Sequence, residues 1–414
     1  MKRLFLYTSL LIILTACNDR IELEQQSYVV AMGVDATDQK GVYAFTYQIA
    51  NPEVGSAAVQ GSADEPPSEI VTVNGADFLS ATYTANSFVA KKITLDHTKI
   101  IVISEELARS DDFIRIIQSA SRTPQIRRKV QLIVSKEKAS DFINHNQPIT
   151  EQRPHKYYQF MLTRASQTGI IPESTLHRFF QITEGDADLF LAIYATNEMS
   201  EDKTNKKGFE DNYIAGEIPQ IGGSPTQFMG SAVFKEGKMI DTLDGEDTRV
   251  AYMLDPTLEM DDYLATIPDP LMPEYRITYD YAQPKDPNIN ITYHKSKPTT
   301  IQVDVHFHAE VIAVPSLVNY TQNKEKQKKL ADAIIQRLQE KTDKLIEKSQ
   351  KEYQSDPFYW SLYVRKNFLT VPEYEQADWH KNLYPNADIT VTYHLDKLEF
   401  GKMIDDSNLD EVRD

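Results

Sequence analysis

Apolar and polar positions divide the chain into many short strand-like segments and one long helix-like segment. Tyr28-Val29-Val30-Ala31-Met32-Gly33-Val34-Asp35 is a β-rich apolar run that ends in a turn signal. Gly41 to Ile49 is aromatic and β-branched throughout, so the two are expected to pair as a hairpin. Asn51 to Ser68 shifts to Gly, Ser, Ala, Pro and acid, the composition of an exposed loop. Asp77 to Lys91 has an amphipathic helical pattern. Lys99 to Ser104 and Lys129 to Val134 are unbroken apolar runs, as in strands buried on both faces, and the helical pattern from Glu105 to Ser121 joins them into a strand-helix-strand unit.

Glu201 to Phe209 is polar and lysine-rich, and Gly216, Pro219, Gly222, Gly223 and Pro225 follow, so a domain boundary is expected near residue 205. Met229 to Phe234 and Met239 to Leu243 read as a tight hairpin turning at Gly237. Between Tyr275 and Val314 the pattern alternates, most clearly from Thr300 to Val311. There Ile301, Val303, Val305 and Phe307 face a core, while Gln302, Asp304, His306 and His308 face water. The longest helical signal runs from Lys324 to Tyr353 on Leu330, Ile334, Leu338, Leu345, Ile346 and Tyr353, and Asp356-Pro357 stops it. A short helix over Phe358 to Lys366, a segment around Trp379 and a strand from Asp388 to Leu395 complete the pattern. Strands before and after one long helix predict a sheet with that helix laid across a face. Asp405 to Asp414 is an acidic tail.

The N-terminus departs from this globular pattern. Lys2 and Arg3 precede an apolar run from Leu4 to Thr15, too short to span a bilayer as a helix, which ends in Leu14-Thr15-Ala16-Cys17. Small residues leading into the single cysteine resemble the bacterial lipobox, in which diacylglycerol alkylates the thiol and the leader, here residues 1–16, is cut off just before it. Cys17 is therefore the expected lipid-attachment residue. Two acyl chains make such anchoring stable, and a modified Cys17 leaves no thiol for a disulfide, a metal cluster or thiol catalysis.

Formal charge is −17, and loss of Lys2 and Arg3 with the leader takes it two lower, to −19. A surface so acidic is expected to repel nucleic acid and anionic headgroups unless a local basic patch is hidden in it.

Signs of catalysis are absent from the sequence. It has no Gly-x-Ser-x-Gly elbow, no phosphate-binding loop and no His-Glu-x-x-His helix. His306 and His308 lie two apart on one strand face without a third ligand at fitting spacing, so no metal is expected. Asp241, Asp244, Glu246 and Asp247 lack the calcium-loop spacing and read better as an acidic helix N-terminus before Thr248 to Leu254. Trp360 and Trp379 are expected in a core or at a domain interface, and the charged face of the long helix reads as an ordinary solvent face or a partner-docking surface.

Several segments together resemble the Ger(x)C family, the lipoprotein C subunits of germinant receptors in spore-forming bacteria. They are Cys17-Asn18-Asp19-Arg20-Ile21-Glu22, the strand end Met32-Gly33-Val34-Asp35, and Leu95 to Ala108. To these are added Gly230-Ser231-Ala232-Val233-Phe234-Lys235 with Leu243 and Glu246, and Tyr353-Gln354-Ser355-Asp356-Pro357-Phe358 followed by Trp379. One departure is Asn18, where the family usually carries an aromatic residue.

The resemblance implies an α+β fold of three mixed α/β domains, the last a sheet with one long helix packed across it. On this chain that gives an N-terminal domain at 17–204, a middle domain at 205–285, a C-terminal domain at 286–404 and a tail at 405–414. It also implies no cofactor beyond the lipid on Cys17, no catalysis, and assembly with integral-membrane A and B subunits on the outer face of the spore inner membrane. The competing expectation is a solute-binding lipoprotein serving a transporter, which calls for two similar lobes around a deep cleft. The segments here are unlike one another.

Overall fold

The computed structural model describes residues 25–51, 66–146, 148, 151–185, 189–200, 212–295 and 297–401. The expectations for the leader, Cys17, most of the Asn51–Ser68 loop, the Glu201–Phe209 stretch and the acidic tail lie outside them.

Strand β1 (Gln26–Ala36) turns back into β2 (Tyr43–Ala50), beyond which lies β3 (Ser68–Gly75). Helix α1 (Phe78–Ala85) and strand β4 (Lys92–Thr94) lead to β5 (Ile100–Ser104). Helices α2 (Glu105–Ala108) and α3 (Phe113–Arg122) carry the chain to β6 (Gln131–Ser135), and α4 (Ala139–His145), α5 (Pro154–Gln167) and α6 (Leu176–Gly185) carry it to β7 (Phe190–Thr196). The hairpin β8 (Gln227–Lys235) and β9 (Lys238–Leu243) completes a nine-stranded sheet ordered β3-β2-β1-β5-β6-β7-β8-β9, with β4 beside β1.

Its centre, β1, β5, β6 and β7, is parallel. Helices cover both faces. Ile101 and Ile103 point into a core shared with α1, α2, α3 and α6, while Ile100 and Val102 meet α4 and α5, which is why the Lys99–Ser104 run is apolar without alternation.

Helix α7 (Gly245–Leu254) leads into a second sheet of β10 (Tyr263–Pro268), β11 (Arg276–Ala282), β12 (Asn288–Thr292) and β13 (Thr300–Ala313). The long helix α8 (Lys324–Lys348), then α9 (Ser361–Val364) and α10 (Val371–Ala377), precede β14 (Asp388–Glu399), which returns parallel to β13. Ile301, Val303, Val305 and Phe307 share one core with Leu330, Ile334, Leu338, Leu345 and Ile346 of α8. The fold is α+β, with the long helix across the C-terminal sheet.

Three expectations are corrected. The segment 205–285 forms no sheet of its own among the described residues: β8 pairs with β7 in one antiparallel ladder, and β10 and β11 belong to the second sheet. The Gly- and Pro-rich stretch read as a boundary joins two neighbouring strands of one sheet. The Glu105–Ser121 helix is interrupted at Arg109–Asp112, where the Ser110 hydroxyl bonds the Leu107 carbonyl and accepts from the Asp112 N–H, so side chain competes with helix for backbone partners. The Asp77–Lys91 helix stops at Ala85, because the Asn86 side-chain oxygen accepts the Ile93 N–H and pulls the chain into β4.

Candidate functional site

Two places gather described residues of the segments that carried the family resemblance: one end of the parallel sheet, and the joint between the two sheets. At the first, β1 needs Gly33 because α4 crosses it closely; a Cβ there would lie 3.0 Å from Ile143 and 3.1 Å from Ala139. Two residues on, the buried Asp35 carboxylate accepts the Ala139 N–H at 2.7 Å and the Ser140 N–H at 2.9 Å, and so occupies the N-terminus of α4. In many open α/β sheets an anionic ligand sits at such a strand end. Here the chain's own carboxylate fills the position, so Met32-Gly33-Val34-Asp35 is a packing and capping motif. Asp35→Ala is expected to cost about 1–2 kcal/mol in urea unfolding and to speed hydrogen exchange at Ala139 and Ser140 before the rest of the sheet.

The joint is built around α7. As the sequence indicated, its N-terminus is acidic: Asp244 caps it by accepting the Asp247 N–H at 2.8 Å. Gly230 lies beneath it on β8 in the left-handed region, φ +79°, where a Cβ would collide with the Leu243 carbonyl. The Ser231 hydroxyl then reaches the Thr248 hydroxyl at 2.9 Å. Glu246 projects to α8, where Arg337 at 2.8 Å and Lys341 at 2.6 Å grip its carboxylate. Asp241 on β9 pairs with Lys348 at 2.7 Å and accepts the Tyr353 hydroxyl at 2.6 Å, while the Lys235 ammonium donates to the Tyr353 carbonyl. Burial works to raise the Asp241 carboxyl, but Lys348 and Tyr353 outweigh it and hold it below its ordinary value.

After α8 the helix widens into a π-turn at Ser349–Tyr353 and ends at Gln354, φ +49°. The next residues enter the joint. Asp356, fully buried, accepts the N–H groups of Phe358 at 2.7 Å, Trp360 at 2.6 Å and Ser361 at 3.2 Å, and its carbonyl takes the Leu189 N–H that leads into β7. Trp360 stacks on Phe358 and donates its indole N–H to the Leu254 carbonyl at the end of α7. Tyr359, between them, points the other way into the first sheet's core. Arg178 of α6 is ion-paired to Asp255 beside it. Burial pushes the Asp356 carboxyl up to about 7, against its three N–H donors, and pushes Asp255 upward despite Arg178.

This geometry locks the two halves together and leaves little space. Cavities at the joint measure about 20 and 30 Å3, room for a water molecule. The two sheets, nine-stranded and five-stranded, are unlike, and packed side chains fill the place where a two-lobed solute binder has its cleft.

Ser355 and His380 meet at 3.2 Å, a contact the sequence did not reveal. Ser355 is fully buried, and burial pushes His380 down to about 4. His306 faces solvent as read; its ring stacks on His394 of β14 and contacts Asp396 at 3.0 Å, while His394 contacts Asp304 at 2.8 Å. Among the described residues no group of three or more His, Cys, Asp or Glu is arranged to hold a metal. Trp360 and Trp379 are both core residues. No helix of the described residues is long and apolar enough to cross a membrane.

Two family models match the chain: the spore germination protein N-terminal domain over residues 19–196, and the spore germination B3/GerAC-like C-terminal domain over residues 229–401. Similar proteins of Bacillus subtilis (strain 168) include spore germination protein KC, 28% identical over 38% of this chain and 39% of that protein. Putative spore germination protein YfkR is 24% identical over 62% of each chain. Spore germination protein B3 is 26% identical over 34% of this chain and 37% of its own. The matches thus span roughly two-fifths to three-fifths of these relatives' lengths. The crystal structure of the GerBC protein superposes with a TM-score of 0.50, covering 89% of this chain and 96% of that one at 16% identity, which is a likeness of fold.

Proposed function

Because the chain belongs to the GerAC-like, or Ger(x)C, family of spore germination proteins, we propose that it is the lipid-anchored, non-catalytic C subunit of a nutrient germinant receptor. The observation that carries this reading is the order of the two family domains, which together account for nearly all of the chain beyond the lipobox-like leader. In this role Cys17 bears diacylglycerol on the outer face of the spore inner membrane. The anchor confines the folded body beside integral-membrane A and B subunits, raising its effective concentration there without any contribution from its own chemistry. The packed joint supports a subunit that transmits or scaffolds, since the polar groups gathered there are spent on capping and ion pairing.

The test has two parts. Cys17→Ala is expected to abolish incorporation of labelled palmitate and to release the protein from spore membranes; retention in the membrane pellet would contradict the anchor. The parent protein is expected to co-purify with two multispan proteins in mild detergent. Recovery alone, carrying a small molecule, would instead favour the solute-binding reading.

A further inference from the structure

The sequence predicts an acidic body that anionic lipid repels. The fold nevertheless gathers six cations at one end of the parallel strands. The parallel strands begin at one end of the first sheet, and their first residues or preceding turns carry Lys92, Lys99 and the run Arg127-Arg128-Lys129, with Lys91 alongside. All six are exposed. Among the described residues none of their side chains has an ion-pair or hydrogen-bond partner.

Their proximity follows from the ladder. Lys92 pairs with Gln26, the Lys99 N–H bonds the Val30 carbonyl, and the Gln131 N–H bonds the Lys99 carbonyl, which sets Lys129 just ahead of β6. The Gln125 side chain accepts the Leu95 N–H and draws the arginine-bearing turn against the same end. A groove of about 190 Å3 runs between Lys99 and Lys129; Glu173 also lines it, without reaching either ammonium. Nearby His155 is pushed down, by burial first and then by Arg153, Lys156 and Lys99, with Glu151 opposing. At the opposite end of the strands Asp35, Glu105, Glu106 and Glu137 stand among Arg109, Lys136 and Lys138, so the charge there is mixed.

The tether leaves from the basic end. Gln26 sits beside Lys92, and nine residue steps separate it from Cys17, a reach of at most about 30 Å whatever path they take. Phe88, 59% exposed, lies three residues before Lys91.

We propose that this end of the first sheet is a second membrane contact: the six cations seat on anionic phospholipid headgroups, and the opposite end of the strands points away from the bilayer. The proposal builds on the reading that Cys17 is lipidated. A lipid alone fixes distance and leaves the body free to rotate. A basic face around the exit point of the tether fixes orientation too, and each cation near an anionic surface adds to the attraction.

The test removes the acyl chains so that the two readings fail separately. Full-length Cys17→Ala protein is sedimented with phosphatidylcholine vesicles and with vesicles that also contain phosphatidylglycerol. Its apolar leader, common to every variant, contributes equally throughout. Partitioning is expected to be at least about tenfold stronger into the anionic vesicles at low salt, to weaken steeply as salt rises, and to lose that preference in the triple variant Arg127→Glu, Arg128→Glu, Lys129→Glu. Reversing Lys324, Lys328 and Lys329 on α8 changes net charge by the same amount and is expected to leave the preference intact. Near-ultraviolet circular dichroism verifies that each variant is folded. Absence of any preference for anionic vesicles, or equal loss from the α8 reversal, would overturn the proposal whatever the palmitate experiment shows.

Discussion

Alanine at Gly230 is expected to destabilise the protein by about 3 kcal/mol or more, or to prevent folding. Two costs add. The backbone at Gly230 sits at φ +79°, in the left-handed region, where a side chain costs about 1–2 kcal/mol. The added methyl also meets the Leu243 carbonyl, a backbone atom held by the β8–β9 hairpin and by the start of α7, so nothing flexible can yield. Gly41 separates the two terms: its φ is +77°, yet nothing lies within 4 Å of where a Cβ would be. Gly41→Ala should therefore cost only the conformational part, about 1 kcal/mol. Urea unfolding followed by fluorescence reads both, since Trp360 and Trp379 are buried in the second core. Equal midpoints for the two variants would show that the close approach at Gly230 is unimportant.

Asp356→Ala is the second large effect, at about 3 kcal/mol or more, because it strips three buried N–H groups of one acceptor at roughly 1–3 kcal/mol each. Asp356→Asn keeps a single acceptor oxygen and should cost less. The two differ from the parent in pH dependence as well. With the folded carboxyl pushed up to about 7 by burial, the folded chain holds a proton that the unfolded chain has already lost above its ordinary range near 4. Stability from this group is therefore greatest at the acid side, falls as pH rises through that window, and levels off above about 7. Asp247, pushed up to about 6 by burial and then by Asp244, adds a slope of the same sign. The Asn variant should show a flatter profile between about pH 4 and 7. An unchanged slope would mean that Asp356 is ionised throughout, its three N–H donors outweighing burial.

Local periodicity made the strands and the long helix legible. The alternation at Ile301, Val303, Val305 and Phe307, the unbroken run at Lys99–Ser104, the tight turn at Gly237 and the acidic start of α7 all reflect rules acting over a few residues, and the structure follows them. Contacts between distant residues were hidden. Nothing near Gly33 announces α4, a hundred residues on, and nothing near Asp356 announces that Leu189 will donate to its carbonyl. The boundary placed near residue 205 shows the same limit, since loop composition marks a break in secondary structure and cannot tell whether the next strand rejoins the same sheet. Net charge is blind in a related way. It sums over the whole surface, while pairing register brings Lys92 and Lys99 to one end of the strands.

β1 begins one residue into the described chain, yet it lies inside its sheet, with β2 on one side and β4 and β5 on the other. A pull from Cys17 directed along that strand would run across its hydrogen bonds, perpendicular in the β2 ladder and slanted in the β4 and β5 ladders. Both ladders would then be sheared as a whole, where a tethered edge strand could be peeled away one bond at a time. A body fastened in this way can be tugged by its anchor while the sheet stays intact.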